Sequence, residues 1–188
     1  MAFQQNGYAL VPEAVTYEQW RGYLLTHGVN VDWAYGNQCW DSCALLWFQY
    51  GLRLQTGPNH AAYECWMASK DVNARPPFTA IMGIQNVKKG DCVVFNRTGS
   101  FWTGHIAFAD EDYNGSGYLR ILGQNQGQGI SSGTPSIVIN YPIGGFLGAF
   151  RNTRWEHTPD PGPTPTPQTH KKKRFPWVLY ARKLRGQK

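Results

Sequence analysis

The order of the sequence patterns predicts an α+β domain in which helices come first and an antiparallel sheet follows. Apolar residues recur at helical spacing in the first third of the chain, whereas short apolar runs separated by Gly, Asn and Asp turns begin after Pro76. The 188 residues suffice for one domain with a substantial core and are too few for two full domains. We therefore expect N-terminal helices packed on a C-terminal antiparallel β-sheet.

The first predicted helix begins at a capping box. Thr16 and Gln19 have the spacing at which each side chain bonds the other residue's backbone N–H, and Gly28 follows as a stop signal. The residues that form one apolar stripe on this helix are Trp20, Tyr23 and Leu24. This pattern predicts a helix that packs on the core.

The second predicted helix runs from Cys39 to about Leu52 and follows a Gly36-Asn37 turn. Backbone N–H groups at a helix start are unpaired and the helix dipole is positive there, so a thiolate is stabilised. We therefore expect the pKa of the Cys39 thiol to fall below the ordinary value of about 8.5. Cys39 is therefore a candidate nucleophile. The alternative is a small buried apolar residue. A third, short helix is expected over residues 60–69.

Five short strands are expected in the second half of the chain. They cover residues 90–95, 105–109, 118–122, 136–141 and 146–150. His105 stands at the start of the second of these strands. A Cys at a helix start and a His at a strand start, distant in sequence, are the usual parts of a cysteine-nucleophile site.

Three polar stretches offer further site residues. The loop 122–129 is dense in amides and glycines, and an amide oxygen there could accept the second ring N–H of His105; the alternative is a plain polar loop. Asn30 and Asp32 alternate in the loop before Cys39, which suits either a Ca²⁺ ligand loop or ordinary turns. Residues 110–112 are three adjacent acids, which we expect to form a solvated turn.

Charge and composition divide the chain into three parts: a body over residues 1–157, a Pro/Thr-rich linker over 158–169 and a basic, aromatic tail over 170–188. The net charge is +6, but the tail holds eight Lys/Arg and no acid, so ten Lys/Arg face twelve Asp/Glu elsewhere. A nucleic-acid surface on the body is therefore not expected. The tail has the pattern of a short basic amphipathic helix for an anionic surface or partner, or of a solubilising extension.

Several other classes of protein are disfavoured by the sequence. The sequence contains no run of about 18 apolar residues, so a membrane span is not expected. The N-terminus lacks the pattern of a signal peptide. The four cysteines lack the paired spacing of a zinc site. We expect the four thiols to be free, and we expect the chemistry to require no cofactor.

The motifs together resemble the CHAP domain, the cysteine- and histidine-dependent amidohydrolase/peptidase family of phage endolysins, virion-associated lysins and bacterial wall hydrolases. The matching segments occur in family order: 36–41, 90–91, 104–107, 124–125 and 146–151. The resemblance implies a papain-like α+β fold and hydrolysis of amide bonds in peptidoglycan.

The resemblance also implies roles for individual residues. Cys39 is the nucleophile, His105 the general base and then acid, and Asn125 the residue that orients the imidazole. Members often carry Glu at the position of Gly123, so the set here is a Cys-His-Asn triad in which Gln124 or Gln126 could substitute. Gln38 and Gln124 are the candidates for contact with the oxyanion or substrate.

Some phage members bind Ca²⁺ before the nucleophile, and Asn30, Asp32 and Asp41 stand where such ligands would be expected. The resemblance further implies action on the bacterial wall, either after holin-dependent release from the host cytoplasm or as part of a virion. The bond could be cleaved by an endopeptidase or an N-acetylmuramoyl-L-alanine amidase. The alternatives are a catalytically silent structural or wall-binding module and nucleic-acid binding through the tail, which could otherwise contact anionic wall polymer or another phage protein.

Overall fold

The computed structural model describes residues 4–5, 8–9, 16–99, 102–127 and 134–155. It has an α+β fold in which helices precede a six-stranded antiparallel sheet, as the sequence predicts. The α-helices in the described part are α1 (Tyr17–Leu24), α2 (Cys39–Gln49), α3 (Glu64–Met67) and α4 (Lys70–Asn73), and a 3-10 helix covers Ile84–Asn86. The predicted linker 158–169 and tail 170–188 lie outside the described residues.

The large sheet has the strand order β3-β8-β4-β5-β6-β7, and all neighbouring strands are antiparallel. A separate two-stranded hairpin pairs β1 (Gln4–Gln5) with β2 (Tyr8–Ala9). The strands of the large sheet are β3 (Phe78–Ile81), β4 (Cys92–Phe95), β5 (His105–Ala109), β6 (Tyr118–Gly123), β7 (Ile137–Pro142) and β8 (Phe146–Asn152).

The five predicted strands are confirmed with small shifts at their ends, whereas β3 and the N-terminal hairpin were not predicted. Helix α2 ends at Gln49, before the expected Leu52, because Gly51 turns the chain with a φ of 69°. The short helix expected over 60–69 is a single turn, α3, and a second turn, α4, follows it.

Helix α1 begins as its capping box predicts, with Thr16 Oγ1 accepting from the Gln19 backbone and Gln19 Oε1 accepting from Thr16 N, both at 3.3 Å. Trp20 and Leu24 are fully buried. The Trp20 ring meets Phe108 of β5 edge to face at 6.1 Å. Helix α1 therefore covers one face of the sheet.

Helix α2 packs on β5, and its first eight residues other than Trp40 are all buried. The ring of Trp47 stacks on Phe78 with centroids 3.8 Å apart. The opposite face of the sheet has its own apolar cluster, which includes Phe95 and Ile121. All five residues of β5 are buried because apolar layers cover both faces of that strand.

The acidic stretch 110–112 differs from the solvated turn that we expected. Asp110 is buried and accepts hydrogen bonds from the Arg21 Nε at 2.6 Å, an Arg120 nitrogen at 2.8 Å and the Tyr17 hydroxyl at 3.0 Å. Burial raises the pKa of Asp110, but the bonds from Arg21 and Arg120 outweigh it and leave the pKa below its usual value. Asp110 thus anchors α1 to the sheet.

Among the described residues, no helix is long and apolar enough to span a bilayer. All four cysteines are free thiols, and each is buried.

Candidate active site

Cys39 is the first residue of α2, and the turn before it is held by Asp41. One Asp41 oxygen accepts from the Gln38 backbone N–H at 2.7 Å, and the other accepts from Val31 N–H at 2.8 Å. Gln38 itself is extended, with φ −88° and ψ 163°, as expected of a residue that precedes a helix. Asp41 therefore fixes the direction from which the chain enters the helix.

Cys39 is only 8% exposed. Burial raises its pKa to about 12, although hydrogen bonding from the backbone of Ile106 and Trp40 lowers it. The expectation of a depressed pKa at the helix start is therefore wrong for the resting protein, because desolvation outweighs the field of the helix. The contact with Ile106, the residue that follows His105 in the chain, puts the sulfur against the start of β5.

His105 begins β5 because Gly104 lets the chain approach its neighbours closely. A Cβ on Gly104 would lie 2.6 Å from the carbonyl oxygen of Phe95, and the backbone φ is 71°. The ring Nε2 of His105 is 2.8 Å from Oε1 of Gln126. Burial lowers the pKa of His105 to about 4, while the hydrogen bond with Gln126 raises it, so the ring is neutral at pH 7.

Tyr141 of β7 lies beside both candidate catalytic residues, a position that its sequence context did not predict. Its ring stacks on that of His105, with centroids 5.4 Å apart and planes inclined by 23°. Burial and the nearby Cys39 raise the pKa of Tyr141. The signal in the sequence was weak, since a Tyr in an alternating strand is ordinarily a packing residue.

Asn125 does not occupy the expected place on the imidazole. Its backbone adopts a φ of 53°, and its side-chain amide donates to Oε1 of Gln38 at 3.0 Å. The residue on the Nε2 of His105 is Gln126, one position further along the turn. The predicted role of Asn125 as the orienting residue is therefore corrected, because the left-handed turn at Asn125 directs the next amide to the ring.

The two predicted glutamines also differ in role. Gln124 is buried, accepts from Val29 N–H at 2.6 Å, and donates to the carbonyls of Val29 and Gln38. Because both polar atoms of its amide bond backbone groups, Gln124 stabilises the loop and does not face a substrate. Gln38 is half-buried, and its amide nitrogen donates to the Tyr35 carbonyl at 2.5 Å, which leaves its second N–H for another acceptor.

The candidate calcium ligands come together only in part. Burial raises the pKa of the Asp41 carboxyl to about 7, and the nearby Asp32 contributes to this rise. Asp32 accepts the Ala34 N–H at 2.9 Å, and Asn30 is half-buried in the same loop. Within the described ranges, no three His, Cys, Asp or Glu side chains are grouped to hold a metal. The oxygen donors suit a hard cation, since each carboxylate oxygen retains a second lone pair.

Three aromatic side chains are exposed in the loops that precede the two candidate catalytic residues. Trp33 and Tyr35 precede Cys39 and both have left-handed backbones, with φ of 62° and 56°. Trp102 precedes His105 and is 77% exposed. These residues were not predicted from the sequence, because exposure in a loop leaves no periodic pattern.

The chain belongs to the CHAP domain family, whose sequence profile matches residues 28–125, more than half of the chain. This match includes Cys39 and His105 and ends at Asn125. No curated protein matches the chain.

Two solved structures resemble the fold. The crystal structure of the wild-type endolysin LysIME-EF1 has 23% sequence identity and a TM-score of 0.56, covering 74% of this chain and 62% of that one. The crystal structure of Ly7917 with the hydrolyzing product of MDP has 15% identity and a TM-score of 0.44, covering 72% and 60%. This chain therefore spans less than two thirds of either protein, and the first likeness supports the papain-like α+β fold.

Proposed function

We propose that this chain is a peptidoglycan hydrolase of the phage-lysin type, with Cys39 as nucleophile and His105 as general base. The observation that carries the proposal is the meeting of two sequence-distant elements: the sulfur at the start of α2 contacts the backbone of Ile106, the residue that follows His105 in β5. Membership of the CHAP family and the fold shared with an endolysin support the choice of substrate.

The reaction begins from a neutral thiol and a neutral imidazole. Because the pKa of Cys39 is raised to about 12 and that of His105 is lowered to about 4, an ion pair is not the resting state. His105 takes the thiol proton as the sulfur attacks the peptide carbonyl, so proton transfer accompanies attack. Because bound substrate excludes water from the site, the imidazole is then the nearest acceptor for the thiol proton.

The oxyanion that forms is stabilised at the start of α2. The Cys39 backbone N–H is one donor, since the first N–H groups of a helix lack partners within the helix. Gln38 supplies the second from its remaining side-chain N–H, and Asn125 steadies Gln38 by donating to its amide oxygen. Asn125 thus acts on the oxyanion side of the site.

The second half of the reaction returns the proton. Protonated His105 gives it to the leaving amine, and a thioester forms on Cys39. Water, activated by the now neutral His105, then attacks the thioester and releases the acid product and the free thiol. No redox step is involved, and the chemistry requires no cofactor.

Two bonds in peptidoglycan are candidates for cleavage. An endopeptidase would cleave an amide bond within the stem or cross-bridge peptide, and an amidase would cleave the bond between N-acetylmuramic acid and L-alanine. Mass spectrometry of digested peptidoglycan distinguishes them. A new N-terminus within the peptide indicates the first, and an intact peptide that begins with L-alanine indicates the second.

Substitution of the nucleophile is the direct test of the proposal. Cys39→Ala should lower the rate of wall lysis in a turbidity assay by at least about 1,000-fold, with an unchanged thermal transition, because the covalent step is lost. Cys43→Ala, one turn further along the same helix, is the matched control and should keep most of the activity. Equal lysis by Cys39→Ala and the wild type would overturn the proposal.

A silent wall-binding module is the second candidate, and the raised pKa of Cys39 is the observation that favours it. A thiol-specific reagent distinguishes the two. In an enzyme, modification of Cys39 abolishes lysis and bound wall fragments slow the modification. In a silent module, modification leaves wall binding intact and there is no lysis to lose.

A structural Ca²⁺ ion held by Asn30, Asp32 and Asp41 is also part of the proposal. Two nearby carboxylates and one amide are oxygen donors of the kind that Ca²⁺ prefers. When bound, the ion would neutralise the repulsion between the two acids and hold the loop before Cys39. The chemical steps do not pass through it.

A further inference from the structure

We propose that Gln126 is the positioning residue of this site, and that it fixes the tautomer of His105 so that Nδ1 accepts the Cys39 proton. This inference rests on the proposed function, which assigns the base to His105. The inference concerns which ring nitrogen of His105 carries the proton, and this tautomer can be measured in a protein that is not catalytically active.

The hydrogen bond made by the side-chain nitrogen of Gln126 determines how the amide is oriented. Its nitrogen donates to the carbonyl oxygen of Ile137 at 2.9 Å, so its oxygen is the atom that faces the imidazole. A reversed amide would set two oxygens against each other at Ile137. Since Gln126 is buried, neither atom can be satisfied by bulk water instead.

The facing oxygen then decides where the His105 proton resides. Oε1 of Gln126 lies 2.8 Å from Nε2, and a carbonyl oxygen only accepts hydrogen bonds. Nε2 therefore carries the hydrogen in the neutral ring, and Nδ1 holds the lone pair. In this tautomer Nδ1 is the only ring nitrogen with an acceptor lone pair, so it is the proposed acceptor of the Cys39 proton.

Gly123 provides the space for this arrangement. A Cβ at Gly123 would lie 3.1 Å from Oε1 of Gln126 and 3.0 Å from the Cβ of Ala107. Both distances are tighter than ordinary carbon contacts, so a side chain at residue 123 would press on the amide that holds the ring. The two positions are therefore coupled: the absence of a side chain at 123 permits the amide of 126.

An amide differs from a carboxylate because it orients the ring without a charge. Among the described neighbours of His105, Tyr141 stacks on it from β7, and the apolar Phe95 is its register partner in β4. From α2, the Cys39 thiol contacts the backbone of the next residue, Ile106. Burial raises the pKa of both Tyr141 and Cys39, so both are uncharged at pH 7. The neutral amide of Gln126 adds no charge to stabilise the imidazolium formed during the reaction, which favours early return of the proton to the leaving amine.

The test compares Gln126→Glu with Gln126→Leu. Glu keeps an acceptor oxygen and adds a charge, so it should raise the acid limb of the kcat/KM profile by at least about one pH unit. Leu removes the acceptor, so it should lower kcat about 10- to 100-fold with little change in KM. Asn140→Ala, an exposed position on β7, is the control and should change neither.

The second measurement uses ring ¹⁵N chemical shifts of His105 in the inactive Cys39→Ala protein. We expect the Nε2–H tautomer with Gln126 present and a mixture of tautomers in Gln126→Leu. An Nδ1–H tautomer with Gln126 present, or an unshifted pH profile in Gln126→Glu, would overturn the inference. If the protein lacks hydrolase activity altogether, the ¹⁵N result still decides the tautomer, so the two failures are distinguishable.

Discussion

At the scale of single residues, the buried imidazole of His105 links the site to the stability of the protein. Its pKa is lowered to about 4 by burial, against about 6.5 for an unperturbed histidine. Between these two values the unfolded chain binds more protons than the folded chain. The free energy of unfolding therefore rises as the pH rises from 4 to 6.5, and this contribution is lost as the pH falls through that window.

We expect this histidine to contribute up to about 3 kcal/mol to the difference in stability between pH 4 and pH 7. His105→Gln should remove that part of the pH dependence, as measured by urea unfolding at several pH values. His60→Gln, at an exposed position, is the control and should keep the wild-type slope. A parallel slope in His105→Gln and the wild type would contradict a neutral buried ring.

The sequence could predict the local structure of the two principal residues but not the partner of the imidazole. A turn before Cys39 and a Gly before His105 determine where a helix and a strand begin, and both starts are confirmed. Which amide meets the ring depends on the left-handed backbone at Asn125. No periodic pattern encodes that turn, because neighbouring amides are chemically equivalent until the backbone direction is known.

At the scale of elements, β8 approaches α3 so closely that only a glycine fits at residue 148. A Cβ there would lie 2.2 Å from the ring of Trp66. Gly148→Ala should therefore destabilise the protein by about 2–3 kcal/mol in chemical denaturation, because the ring and the strand must separate.

Gly144, in the turn before the same strand, is the matched control. A Cβ added there meets no heavy atom within 4 Å, so Gly144→Ala should stay within about 0.5 kcal/mol of the wild type. Equal effects of the two substitutions would show that the contact between β8 and α3 is not tight.

The loop between α1 and α2 is the element that the proposed Ca²⁺ would stabilise. Addition of CaCl₂ should raise the Tm relative to EDTA, since a ligand that binds only the folded state stabilises it. Asp32→Asn should weaken this response by removing a carboxylate, and MgCl₂ should be less effective than CaCl₂ because Mg²⁺ demands stricter geometry. A Tm that is the same in CaCl₂ and EDTA would remove the ion from the proposal.

Not every element could be derived from the sequence. The strands β4 to β8 have alternating or largely apolar patterns bounded by turns, which is why they were predicted. Strand β3 has four residues and follows two prolines without a clear turn signal. Its existence depends on pairing with β8, about 70 residues later, and a local pattern carries no information about so distant a partner.

At the scale of the whole molecule, Asp110 joins the helical layer to the sheet. Arg21 belongs to α1 and Arg120 to β6, and both bond the same carboxylate, of which 1% is exposed. Removing the charge leaves two guanidinium groups facing an amide. Because both arginines are partly exposed, we expect less than the full cost of breaking a buried ion pair.

Asp110→Asn should accordingly lower the free energy of unfolding by about 2–3 kcal/mol at pH 7, measured by urea titration. Asp71→Asn, whose carboxylate is 94% exposed and 3.8 Å from Lys70, is the control and should change it by less than about 0.5 kcal/mol. A small effect of Asp110→Asn would mean that apolar packing alone holds α1 in place.

The position of β8 in the sheet has a consequence for the order in which the molecule is completed. Among the strands of the described residues this one is the last in sequence, yet it lies between β3 and β4. A ribosome must therefore deliver residues 146–152 before the two earlier strands are bridged. Tyr141, which stacks on the imidazole, and the Ile137 carbonyl, which accepts from the amide of Gln126, both belong to the late strand β7. The proposed site is therefore incomplete until β7 and β8 have been synthesised, so a nascent chain that lacks these strands would be inert.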